Sequence, residues 1–140
     1  MRFAAILLTL ACFVQCAPQP EQVVTAAWPD GTAKREVTLA EGDSTAVRTF
    51  YPTGALEKIG FYESGEKTGD WNAWYAHGTP WSEHHYVHGI QVGSYRTWHP
   101  NGAPFITGSY NDQGTPDGTW TFQDDEGNLL RTVDGAILNP

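Results

Sequence analysis

Glycines at Gly31, Gly54, Gly78, Gly102 and Gly127 stand 23, 24, 24 and 25 residues apart, and a period of that length constrains a fold more than composition does. Each closes a tetrad that reads as a turn: WPDG (Trp28 to Gly31), YPTG (Tyr51 to Gly54), YAHG (Tyr75 to Gly78), HPNG (His99 to Gly102) and DDEG (Asp124 to Gly127). Proline presets φ, Asp and Asn tolerate the left-handed region, and glycine enters it freely. A second series, Gly42, Gly65, Gly89 and Gly114, keeps the period, and a third, Gly69, Gly93 and Gly118, opens the next aromatic strand. The chain is read as an array.

The stretch GDWNAWYAHGTPWSEHHY, Gly69 to Tyr86, serves as the reference unit. Trp71, Ala73 and Tyr75 alternate to one side of an extended segment and Asn72 and Trp74 to the other. The segment Trp81 to Val87 then runs back as the second strand of a hairpin, and HGIQVG leads on to the next. The expected fold is all-β, an elongated repeat array of antiparallel hairpins, about 24 residues per unit, in a single continuous twisted sheet. Two strands per unit give about nine or ten strands.

Aligned, the units make four columns: Val47, Trp71, Tyr95 and Trp120; Phe50, Trp74 and Trp98, with Phe122 one place early; Trp28, Tyr51, Tyr75, His99 and Asp124; and Leu39, Tyr62, Tyr86 and Tyr110. Such columns become cross-strand contacts in a sheet. Six Trp, six Tyr and six Phe against one Met make them the expected core. No hairpin buries its apolar face alone, so stability is close to a sum of nearest-neighbour contributions. Asp124 and the DDEG turn read as a C-terminal cap.

These units resemble the bacterial variant of the MORN repeat (membrane occupation and recognition nexus), found in proteins often labelled YwqK-like antitoxins. The resemblance is carried by GDWNAWYAHG, GSYRTWHPNG and GTWTFQDDEG, with FYESGEKTGDW and YVHGIQVGSY as connections, and covers Trp28 to about Gly135. Departures are Thr45 in place of glycine, one inserted residue near Thr115 and Pro116, and the pair His84 and His85. The resemblance implies a hairpin repeat and carries an antitoxin label, but no set of functional residues. Export fits poorly with neutralising a cytoplasmic toxin.

Residues 1–15 pair one positive charge, Arg2, with the run FAAILLTLACFV, too short to span a bilayer and right for a signal peptide. Cys16 follows, and residues 16–22 are polar and proline-containing, as in a tether. This resembles a bacterial lipoprotein signal with Cys16 as the lipidated residue, although Gln15 stands where a small residue is usual and Phe13 where Leu is. The expected location is the bacterial cell envelope, periplasmic or outer-surface, and otherwise secretion. Residues 23–138 are the repeat domain. The only other cysteine is Cys12, so no disulfide staples the mature fold. A net charge of −8 argues against nucleic acid as partner.

His77, His84, His85, His88 and His99 lie close in sequence, but His84 and His85 point to opposite faces of a strand, so no ready-made metal site is expected. Asp124, Asp125 and Glu126 form an acidic run without the ligand spacing of a calcium loop. No G-x-S-x-G, G-x-G-x-x-G or Walker pattern occurs. Neither an enzyme nor a cofactor is called for. Trp74, Trp81 and Trp98 are the candidate binding residues, an aromatic platform if their face stays open. The function expected is an exported, membrane-anchored, non-enzymatic protein-binding or scaffold module with an unidentified protein partner. The alternative is a carbohydrate-binding module that uses those tryptophans on envelope glycan.

Overall fold

A computed structural model describes residues 20–40 and 43–138. Ten strands form one antiparallel sheet in sequence order: β1 Glu21–Ala27, β2 Ala33–Ala40, β3 Asp43–Phe50, β4 Leu56–Glu63, β5 Glu66–Trp74, β6 Pro80–Val87, β7 Ile90–Trp98, β8 Pro104–Tyr110, β9 Pro116–Gln123 and β10 Leu129–Asp134. A four-residue helix, α1 Gly135–Leu138, follows. The all-β fold expected from the turn spacing is therefore the fold observed. The expected signal segment, Cys16 and the turn expected at Gly42 lie outside the described residues.

Two kinds of turn line the two ends of the strands. At one end, Trp28–Thr32, Tyr51–Ala55, Tyr75–Thr79, His99–Ala103 and Asp124–Asn128 share one geometry: the first residue's N–H donates to the fifth carbonyl, and the glycine N–H donates to the first carbonyl. The glycine φ runs from 82 to 95°, which closes a three-residue hairpin loop that other residues enter only at a cost. At the other end Ser64-Gly65 and His88-Gly89 turn the chain in two residues, both left-handed, with φ of 51 and 82° and of 48 and 79°. Asn111–Thr115 replaces that two-residue turn with the longer form, and this is where the insertion near Thr115 and Pro116 goes.

The third glycine series acts differently from the sequence reading. Strands β5, β7 and β9 begin before Gly69, Gly93 and Gly118, and those glycines sit inside them at φ of 63, 70 and 64°. The register steps from Ile59↔Asn72 to Phe61↔Thr68, from Glu83↔Arg96 to His85↔Val92, and from Thr107↔Thr121 to Ser109↔Asp117. Three residues thus oppose one at Gly60, His84 and Gly108. Bulges of this kind bend a strand and raise its local twist. In the first unit Thr45, which stands where glycine was expected, is the extra residue between Thr38↔Ala46 and Leu39↔Ser44, and its Oγ1 donates to the Thr38 carbonyl at 3.0 Å.

A one-layer sheet buries little. Val37, Ala46, Ala73, Trp120, Ser82 and Thr97 are the buried hydrophobic and polar residues. The expectation that the aromatic columns form the core is thus met only at Trp120. The other rings of these columns stay half-buried, because among the described residues no second layer covers the sheet. Ala73, Ser82 and Thr97 face one another across three strands, and all three are buried.

Candidate functional site

The turn-leading column does more than mark turns. Trp28 Nε1 donates to the Phe50 carbonyl at 3.1 Å, Tyr51 Oη to Trp74 and Tyr75 Oη to Trp98 at 2.8 Å each, and His99 Nε2 to Gln123 at 2.9 Å. Each tip reaches the strand end just before the next turn of the same edge. Asp124, last in the column, instead accepts from the N–H groups of Glu126 and Asn128 and from Asn128 Nδ2. Those bonds hold its carboxyl below the ordinary value, with the Asn128 side chain the largest cause. A second, outer row runs beside the first: His77 Nε2 donates to Pro100 at 2.7 Å and Asn101 Nδ2 to Asp125 at 2.6 Å. Tyr75→Phe removes one rung without changing ring volume, so it is expected to cost about 0.5–1.5 kcal/mol, read from urea midpoints at unchanged m-value.

The columns containing Trp71 and Tyr86 share one face. Tyr62 meets Trp71 edge-on at 5.2 Å, Trp71 meets Tyr86 at 5.9 Å, and Trp120 lies 5.1 and 5.2 Å from Tyr95 and Tyr110. Such contacts suit the ring quadrupole. Trp71 and Trp120 lie directly on Gly60 and Gly108, where an added Cβ would come within 2.2 Å of each indole. His84 takes the equivalent place between them, and the smaller Tyr95 packs on it at 4.9 Å. Glycine carries the larger ring and histidine the smaller. The sequence reading missed this pairing, although Gly60, His84 and Gly108 each stand six residues after a turn glycine.

The surroundings of His84 disfavour its protonation. Burial pushes its pKa down, and the Lys67 and Lys58 charges push it further. Tyr86 Oη donates to Gln91 Oε1 at 3.2 Å, and Gln91 Nε2 donates to His84 Nδ1 at 3.0 Å, a chain that needs an unprotonated Nδ1. The unfolded chain therefore takes up a proton before the folded one. Stability is expected to be complete above the ordinary histidine value of 6.5 and to decline as pH falls below it. His84→Gln should flatten that part of the profile, measured as urea midpoints from neutral to mildly acidic pH.

The face of His84 also carries a depression of about 200 Å³ lined by Lys58, Lys67, Trp71, Ser82, Tyr86 and Trp81, among others. Lys67 Nζ sits 4.6 Å from the Trp71 ring and 4.7 Å from Tyr86. A second depression, about 270 Å³, is lined by Asp70, Asn72, Glu83 and His85 with His84 and Ser94. Within it Asp70 meets His85 Nδ1 at 2.7 Å, and Glu83 faces Arg96 at 3.7 Å. The two hollows differ in charge.

The three candidate tryptophans occupy different kinds of position. Trp74 and Trp98 end β5 and β7, half-buried, and their carbonyls are the acceptors of the turn-edge bonds. Trp81 is the extra residue of a bulge between Ala73↔Ser82 and Trp74↔Pro80, 46% exposed, with its ring 6.3 Å from Tyr75. Phe105 repeats that place beside His99 at 4.5 Å. Of the histidines, His77 and His99 brace turns, His84 supports Tyr95, His85 pairs with Asp70 and His88 occupies a left-handed turn position. Among the described residues no three His, Cys, Asp or Glu converge as metal ligands. Compared with known proteins, the chain matches no family model and no curated sequence at a significant level.

Proposed function

We propose that this chain is an exported, lipid-anchored, non-enzymatic repeat protein of the MORN type that serves as a protein-binding or scaffold module. The supporting observation is the row of side-chain bonds from Trp28, Tyr51, Tyr75 and His99 to carbonyls 22, 23, 23 and 24 residues onward. These bonds tie each hairpin to the next and leave a broad, braced surface, which is what recognition of a large partner needs. Residues 23–138 form the binding domain, residues 16–22 the tether and Cys16 the lipid attachment point, with the signal peptide ahead of it. The antitoxin label of the resembling family is set aside because export separates the chain from a cytoplasmic target.

Two measurements test this reading. Mass spectrometry of the mature N-terminus should find an acylated Cys16, and an unmodified terminus downstream of it would overturn the anchor. Crosslinking in intact envelopes should join the domain to one recurring protein, and recovery of nothing above background counts against the scaffold role. A second reading, a carbohydrate-binding module, is favoured by the exposure of Trp81, since an open indole is a surface on which sugar rings stack. Tryptophan fluorescence across a glycan panel separates the two.

A further inference from the structure

Lys58 and Lys67 lie on neighbouring strands and line one hollow with His84, Trp71, Trp81 and Ser82. The chain has 16 acidic residues against eight lysines and arginines, yet among the described residues no carboxylate lines this hollow. Among the described residues neither lysine has a carboxylate within salt-bridge distance: the ion pairs are His85 with Asp70 and Arg96 with Glu83. The two ammonium groups instead depress the basicity of His84. Among the described residues these two positive charges have no carboxylate partner in an acidic protein. His84 Nδ1 is taken by Gln91, so Nε2 carries the ring proton and adds a third donor.

The remaining wall decides the class of ligand. Trp81 is 46% exposed and offers an open indole, while Trp71 has Gly60 beneath it and the Lys67 ammonium 4.6 Å from its ring. Ser82 and Asn72 add hydrogen-bonding groups. At about 200 Å³ the hollow lies below the roughly 300–1,000 Å³ of drug-sized pockets, which limits the inserted part to about one ring. The geometry points to a subsite for an acidic sugar residue, its ring against Trp81 and its oxyanion between Lys58 and Lys67. The inference rests on the carbohydrate reading but moves the site from the set Trp74, Trp81 and Trp98 to Trp81 with the two lysines.

Calorimetric titration of the full chain with galacturonate oligomers, the matching neutral galactose oligomers, inorganic phosphate and polyglutamate tests it. The acidic oligomer should bind at least tenfold more tightly than the other three, and the difference should shrink as salt rises. Lys58→Gln, at an exposed position, should weaken the acidic oligomer about tenfold with melting unchanged, and Trp81→Ala should weaken it as well. Equal binding of both sugars, insensitive to Lys58→Gln but lost in Trp81→Ala, overturns the acidic subsite and leaves the carbohydrate reading standing. Phosphate or polyglutamate binding as tightly as the acidic sugar overturns the assignment to sugar. Absence of binding to either sugar overturns the subsite and the carbohydrate reading together.

Discussion

Trp120→Ala is expected to lower the unfolding free energy by about 3–5 kcal/mol. Trp120 is 4% exposed and touches Tyr95 and Tyr110, so its removal leaves a hollow that no second layer among the described residues fills. Neighbouring hairpins share the loss because each contributes a wall of the same cluster. Urea unfolding should show a lower midpoint, and a reduced m-value would indicate that the C-terminal hairpins separate from the rest. Trp81→Ala is the control: its ring is 46% exposed, and a change below about 1 kcal/mol is expected. Trp120→Phe should cost much less than alanine, because the buried Nε1 has no hydrogen-bond partner among the described residues. Equal losses for Trp120→Ala and Trp81→Ala would contradict the burial argument.

What could be read from the chain follows from how local each signal is. Turn glycines act through their own φ, so the turns at Gly31, Gly54, Gly78, Gly102 and Gly127 were legible from spacing, and with them the antiparallel all-β order. The bulges were not. Gly69, Gly93 and Gly118 look like strand openings because a glycine beside an aromatic reads as a boundary, and only the pairing of both neighbouring strands shows three residues opposing one. The turn-leading column was visible as aromatic residues, but its reach to the next unit's carbonyl depends on strand spacing and twist. Lys58 and Lys67 carried no pattern at all. They line one hollow although Lys58 pairs with Ala73 and Lys67 with Tyr62, on either side of the bulge between β4 and β5.

Gly108→Ala is expected to destabilise the protein by about 1–3 kcal/mol, although strand propensity alone argues the other way. Alanine inside a strand recovers roughly 0.5–1 kcal/mol relative to glycine, and no left-handed φ stands against the change at this position. The obstacle is space: the new Cβ would lie 2.2 to 2.6 Å from three atoms of the Trp120 indole. That ring is nearly fully buried and wedged against Tyr95 and Tyr110, so it cannot swing aside cheaply. The overlap outweighs the propensity. The unit at His84 shows how the conflict is relieved, since a side chain larger than methyl is accepted there under the smaller ring of Tyr95. Trp120→Tyr in the Gly108→Ala background should therefore recover part of the loss, and the double-mutant cycle should give a favourable coupling of about 0.5–3 kcal/mol. Strict additivity in that cycle would mean that glycine under indole is not a packing requirement, and the pairing of ring size with floor residue across Gly60, His84 and Gly108 would lose its physical basis.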